Sequence, residues 1–209
     1  MIKLVIFDFD GTLANSIDMV MGIYNRMAPD FGTDQVSREE FPYLRKLGYK
    51  KAMKEKGIHW SQLPRIAIAI SKELKSHMKE VQPYDGIVEE LTAIKKSGYD
   101  IGILTSNQEP LVRDFLNDFN FPEFTFLVSE KSIFGKDKAL KKIIKKQNLD
   151  KDTVVYVGDE PRDVIACRKT GIAVIGVSWG LAGVEGFAKA EPDRLIDQPK
   201  NLLKTIKSF

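Results

Sequence analysis

Cysteine is nearly absent from this chain: Cys167 is the only one in 209 residues. A lone thiol excludes an internal disulfide framework and a cysteine-based zinc site. Histidine is almost as scarce, and His59 and His77 lie in polar or helical surroundings that favour structural roles. No apolar run approaches the ~18 residues that a membrane span requires. The run at the N-terminus is short and leads straight into two carboxylates, unlike a secretory leader. A cytoplasmic protein without membrane contact is expected. An excess of one charge is also missing: the net charge of +3 is too small to point to nucleic acid, even with a lysine-rich stretch at 136–146. Apolar residues make up 43% and charged residues 29%. That balance suits a globular chain able to bury one large core, or one core with a small companion.

What is present is a pair of acids where an apolar run ends. Ile2-Lys3-Leu4-Val5-Ile6-Phe7 is followed by Asp8-Phe9-Asp10-Gly11-Thr12-Leu13. β-Branched and large apolar residues ending at a glycine turn read as a buried strand. Carboxylates at i and i+2 can share one face, because the strand period is two. At ~4 Å they would repel by roughly 4 kcal/mol at an effective dielectric of 20. A fold tolerates this when a cation, a shared proton or a reaction uses it. The alternative is a solvated loop at the strand end.

From about Gly86 onward, strand-like and helix-like stretches alternate. The helical spacing of Ile87, Val88, Leu91 and Ile94 stops at Ser97-Gly98. Strands are predicted at 100–105, 124–128, 153–157, 172–177 and 195–196, and helices at 110–119, 136–147, 161–170 and 202–206. This alternation predicts an α/β fold, a doubly wound and mostly parallel sheet with right-handed connections and ligands beyond the carboxyl ends of its strands. Asp8, Asp10, Thr105, Ser106 and Asp159 all fall at those ends. Residues 15–83 break the pattern. Apolar stripes of Ile17, Val20, Met21 and Tyr24, and of Ile66, Ile70, Leu74 and Met78, flank a basic segment at 44–56. An all-helical second domain over 15–83 is expected, inserted after the first strand into a core of 1–14 and 84–209, with hinges near 13–16 and 82–86.

Thr105-Ser106-Asn107 follows Leu104 at the end of the strand predicted at 100–105. Small hydroxyl residues and free N–H groups at a strand-to-helix turn suit an anionic oxygen; they equally suit helix capping. Lys136 can hold a phosphate as a point charge, but spacing does not separate it from Lys131 or Lys138. Another strand ends in Val157-Gly158-Asp159-Glu160-Pro161-Arg162-Asp163. Asp159 and Asp163, four apart, are expected on one face of a first helical turn. Three acids exceed what capping requires. A hard cation held by a few carboxylates and several waters, as magnesium prefers, accounts for the excess. Trp60 and Trp179 read as packing residues, with Trp179 close enough to a strand end to line the site.

In order and position, Asp8-Phe9-Asp10-Gly11-Thr12, Thr105-Ser106-Asn107, Lys136 and Gly158-Asp159 through Asp163 resemble the four motifs of the haloacid dehalogenase superfamily. The resemblance spans nearly the whole chain. Val157-Gly158-Asp159 and Val177-Ser178-Trp179-Gly180 look most like its phosphoglycolate phosphatase branch. It implies a Rossmann-like core with 15–83 as a helical cap, and a magnesium-dependent phosphatase acting on a small phosphorylated metabolite. Asp8 would be the nucleophile that becomes an aspartyl-phosphate, and Asp10 the acid and base. Magnesium would lie among Asp8, the backbone carbonyl of Asp10, Asp159 and Asp163. Thr105, Ser106, Asn107 and Lys136 would hold the phosphoryl oxygens. Arg45 and Lys46 are, by the same resemblance, the cap residues that reach substrate, with a solvated basic helix as the alternative. The family usually has proline where Asp137 stands, and many relatives have aspartate at the position of Asn15. β-Phosphoglucomutase-like sugar phosphomutases use the same aspartates and are the nearest rival. A non-catalytic relative would have lost an essential carboxylate, and none is missing. The chain is expected to act as a monomer or weak homodimer.

Overall fold

The computed structural model describes residues 1–130 and 135–209, and all their side chains except those of residues 49, 71 and 74–76. Strand β1 (Leu4–Phe7) is buried at every position. An apolar run of this kind is satisfied only between two covered faces. It pairs in parallel with β2 (Asp100–Thr105) on one side and β4 (Val154–Gly158) on the other. β3 (Phe126–Ser129) extends the sheet beyond β2, and β5 (Ala173–Val177) and β6 (Arg194–Ile196) extend it beyond β4. The order β3-β2-β1-β4-β5-β6 is parallel throughout. The direction of winding therefore reverses between β1 and β4, the place where such sheets bind ligands.

Alternation along the strands divides the core between two layers of helices. Val5, Phe7, Ile103 and Val157 pack with α5 (Ile87–Lys96), α6 (Glu109–Asp118) and α10 (Leu202–Ile206). Leu4, Ile6, Leu104 and Tyr156 pack with α7 (Lys136–Gln147) and α8 (Pro161–Thr170). The two helices on this second face match their expected bounds.

Between β1 and α5 the described elements are helical only: α1 (Ile17–Met27), α2 (Phe41–Leu47), α3 (Tyr49–Glu55) and α4 (Leu63–His77), with short 3-10 turns. Tyr24, Ala28 and Ile66 form their small core, with Phe31, Val36, Ile58 and Ile70 against it. The chain enters and leaves this insert side by side. Asn15 N–H donates to the Gln82 carbonyl at 2.9 Å, and Tyr84 N–H to the Leu13 carbonyl at 3.1 Å.

Several expectations change here. The basic segment is two helices broken at Gly48. On α1 the buried positions are Ile23 and Tyr24, while Val20 and Met21 are only partly covered. Ile66 and Ile70 belong to the insert, Met78 joins the main core, and the Leu74 side chain lies outside the described residues. Trp60 is exposed rather than packed. A short helix, α9 (Gly183–Phe187), was not foreseen, because five residues are too few to display a helical period. No helix among the described residues is long and apolar enough to cross a membrane.

Candidate active site

β1 delivers Asp8 to the point where the winding reverses, and Asp8 N–H continues the pairing by donating to the Val157 carbonyl at 2.9 Å. The residue is only 4% exposed. Its Oδ1 accepts the Phe9 N–H at 2.8 Å and its Oδ2 accepts Lys136 Nζ at 2.5 Å. Lys136, the first residue of α7, also donates to Asp163 Oδ1 at 2.6 Å and to the Tyr156 hydroxyl oxygen at 2.9 Å. Of the lysines that spacing left equivalent, Lys136 is the one brought to the carboxylates. Lys138 is exposed, and Lys131 lies outside the described residues.

Asp159 follows the end of β4. Its Oδ1 accepts the Thr12 hydroxyl at 3.2 Å, its Oδ2 the Leu181 N–H at 2.7 Å, and its carbonyl the Ala182 N–H at 3.2 Å. Asp8, Asp159 and Asp163 are buried and offer oxygens within 4.8 Å of one another. Asp159 and Asp163 do not share a helical face as expected. Asp159 precedes the extended cap residue Glu160 (φ −128°, ψ 148°), so a strand end and a first helical turn bring the two acids together. Glycine is required beside them. A Cβ on Gly11, which has φ 72°, would lie 2.1 Å from Asp159 Oδ2, and one on Gly180 would lie 2.2 Å from Asp159 Cβ.

Burial, then the charges of Asp8 and Asp163, push Asp159 up to about 7 against the Leu181 N–H and Lys136. Burial likewise raises Asp8, against the pull of Lys136. Burial works to lower Lys136, but Asp163 and Asp8 outweigh it and hold the ammonium above its ordinary value. Glu160, beside the cluster, is pushed up to about 7 by burial despite its bond to the Arg162 guanidinium. Three buried carboxylates with oxygens within 4.8 Å of one another, two of them raised and with one ammonium beside them, fit a hard dication such as magnesium.

The Asp10 carboxylate lies outside this oxygen cluster. Asn107 Nδ2 donates to its Oδ2 at 3.2 Å, and the Ser16 side chain also hydrogen-bonds it. Burial, followed by the charge of Asp8, raises Asp10 to about 6 against those two bonds. Thr105 is buried, and its hydroxyl accepts the Asn107 N–H at 2.9 Å, while Ser106 is exposed. Thr105 shapes the turn and Asn107 reaches the second acid, while α6 starts only at Glu109, with Gln108 before it and no side-chain cap.

The model of the family described as haloacid dehalogenase-like hydrolase matches residues 5–177, a span containing all of these acids and Lys136. The chain belongs to this family. It is a hydrolase. A phosphoglycolate phosphatase from Synechococcus elongatus is 30% identical over 97% of this chain and 96% of that protein. Pyrophosphatase PpaX from Bacillus cereus is 24% identical over 98% of this chain and 96% of that one. A solved structure from Clostridium acetobutylicum, described as a predicted phosphatase, has the same fold, with a TM-score of 0.81 at 22% identity and 100% of both chains covered.

In this haloacid dehalogenase-like hydrolase, Arg45 and Lys46 part company. Arg45 reaches from α2 to the core, where its guanidinium donates to the Gly180 carbonyl and Cζ lies 4.6 Å from the Phe41 ring centroid. Lys46 is exposed. Trp179 packs: its Nε1 donates to the Thr12 carbonyl at 3.1 Å, and its ring lies 6.2 Å from that of Tyr84. Sequence reasoning missed Tyr156, Ser16 and the Leu181 N–H as partners of the acids. None of the three carried a local signal: β4 is buried at every position, so no alternation singles out Tyr156.

Proposed function

We propose that this hydrolase is a magnesium-dependent phosphatase that acts on a small phosphorylated metabolite of the cytoplasm through an aspartyl-phosphate on Asp8. One observation carries the reading. Asp8 shares a buried oxygen cluster with Asp159 and Asp163, bonds to Lys136, and stands two residues from an acid raised to about 6. Asp8, Asp159 and Asp163, with the backbone carbonyl of Asp10, would hold magnesium. When bound, it would supply positive charge to the carboxylates and the phosphoryl oxygens alike.

The bond changes are assigned to the chain's own residues. A carboxylate oxygen of Asp8 attacks phosphorus, the bond from phosphorus to the ester oxygen breaks, and Asp10 gives its proton to that oxygen. Asp10, now ionised, takes a proton from water as the water oxygen attacks the acyl phosphate. The bond between phosphorus and Asp8 breaks, phosphate leaves, and both acids return to their starting states. An acid near 6 can act in both directions around neutral pH. Lys136, Thr105, Ser106 and Asn107 would face the phosphoryl oxygens. Residues 15–83 would act as a cap that closes over the core of 1–14 and 84–209 about the paired crossings, excluding bulk water.

A screen of phosphate release over phosphorylated metabolites, with and without magnesium, tests this. The names of the two curated relatives direct it first to phosphoglycolate and pyrophosphate. On the best substrate, Asp8→Asn is expected to lower turnover at least about a thousandfold. Wild-type turnover by that variant would refute the covalent route. Formation of a sugar phosphate isomer without phosphate release would make the protein a mutase instead.

A further inference from the structure

Residues 180–183 are gripped from two directions. On the core side, Leu181 N–H donates to Asp159 Oδ2 at 2.7 Å and Ala182 N–H to the Asp159 carbonyl at 3.2 Å. On the side of the helical insert, the Arg45 guanidinium donates to the Gly180 carbonyl, the peptide group immediately before Leu181 N–H. The approach is close at both glycines of the segment. A Cβ on Gly180 would lie 2.4 Å from the Gly11 carbonyl oxygen, and one on Gly183 would lie 3.2 Å from Arg45 Nη1. Arg45 is itself fixed to its helix by the Phe41 ring, and its Nε is buried without a hydrogen-bond partner. The guanidinium is thus held between the Phe41 ring and the Gly180 carbonyl.

We infer that Arg45 is a positioning residue that acts through segment 180–183 on Asp159. Its hold on the Gly180 carbonyl orients the same peptide unit whose N–H aims the Asp159 carboxylate. Seating of the insert on the core and the geometry of the acidic cluster are therefore one coupled event. When the insert lifts, Gly180 loses its donor and the N–H that aims Asp159 loses its brace. Cation binding at the acids then favours the seated insert, and seating favours cation binding by the same factor. This rests on the reading of Asp159 as a cation ligand, and it departs from the expectation that Arg45 touches substrate.

The test compares wild type, Arg45→Ala and Arg45→Lys as full-length proteins without substrate, by hydrogen–deuterium exchange and by magnesium titration calorimetry. In Arg45→Ala the amides of Leu181 and Ala182 are expected to exchange about tenfold faster. Magnesium affinity is expected to fall about 10- to 100-fold, the usual effect of losing a partner that orients a ligand. Arg45→Lys retains a donor for one carbonyl and should restore most of that affinity. With substrate, kcat should fall while KM moves little. Unchanged exchange and magnesium affinity with a raised KM would overturn the inference and make Arg45 a substrate contact. Equal acceleration of exchange in β1 would reduce Arg45 to a general stabilising role and also overturn it. If the wild-type protein neither binds magnesium nor releases phosphate, the proposed function fails. The exchange comparison at 180–183 still decides whether Arg45 holds that segment.

Discussion

At the scale of single residues, the two acids that end β1 differ because their partners differ. Asp8 is bonded to an ammonium and lies in the oxygen cluster, whereas Asp10 meets neutral donors, Asn107 and Ser16. An amide that donates to a carboxylate favours its ionised form, so losing that donor raises the pKa. In Asn107→Ala, Asp10 should therefore rise beyond its value of about 6. A leaving oxygen takes its proton from the protonated acid, so the alkaline limb of the kcat/KM profile should move to higher pH. An unmoved limb, with turnover otherwise retained, would separate Asp10 from the proton transfer. The acids themselves were legible in the sequence, because each falls where an apolar run stops. Lys136 was not separable from its neighbours, because which lysine of a helix turns inward depends on how that helix sits against the sheet. Arg45 was placed by resemblance, but its partner Gly180 lies 135 positions away, and no local pattern connects them.

At the scale of elements, everything depends on β1, which leads directly into the first two acids and has a strand on either side. Ile6 is fully buried in the layer under α7 and α8, the helices that bring Lys136 and Asp163. Ile6→Ala is expected to lower the unfolding free energy by about 2–5 kcal/mol, read from the urea midpoint. A loss well below that range would mean that the neighbouring helices close over the gap. The legibility of the elements followed their length and punctuation. α8 begins at Pro161 and ends against Gly171 in the left-handed conformation, and its bounds were predictable. α9 was too short to show a period, although Phe187 within it is fully packed. The fault in 44–56 was of the opposite kind: two helices share one basic composition, and only Gly48 separates them.

At the scale of the whole molecule, the acidic cluster sets how stability responds to pH. Asp159 and Asp10 are held at about 7 and about 6, above their ordinary value of 3.8. The native chain therefore keeps protons that the unfolded chain releases. The stability these groups contribute is complete below about pH 4 and is lost as pH rises through about 6 to 7. With a chelator present, the urea midpoint should fall between about pH 5 and about pH 8, and magnesium should restore it most at the higher pH. A midpoint that rises over that interval in chelator would contradict the raised values assigned to Asp159 and Asp10. The paired crossings carry a different consequence. Because residues 13–15 and 82–84 are hydrogen-bonded neighbours, the chain departs from the core and returns to it at almost one point. A segment tethered at a point can be lengthened, shortened or rewritten without shifting the register of β1 against β2. Natural variation in the insert is thus free of the sheet, and constrained chiefly where Arg45 meets Gly180.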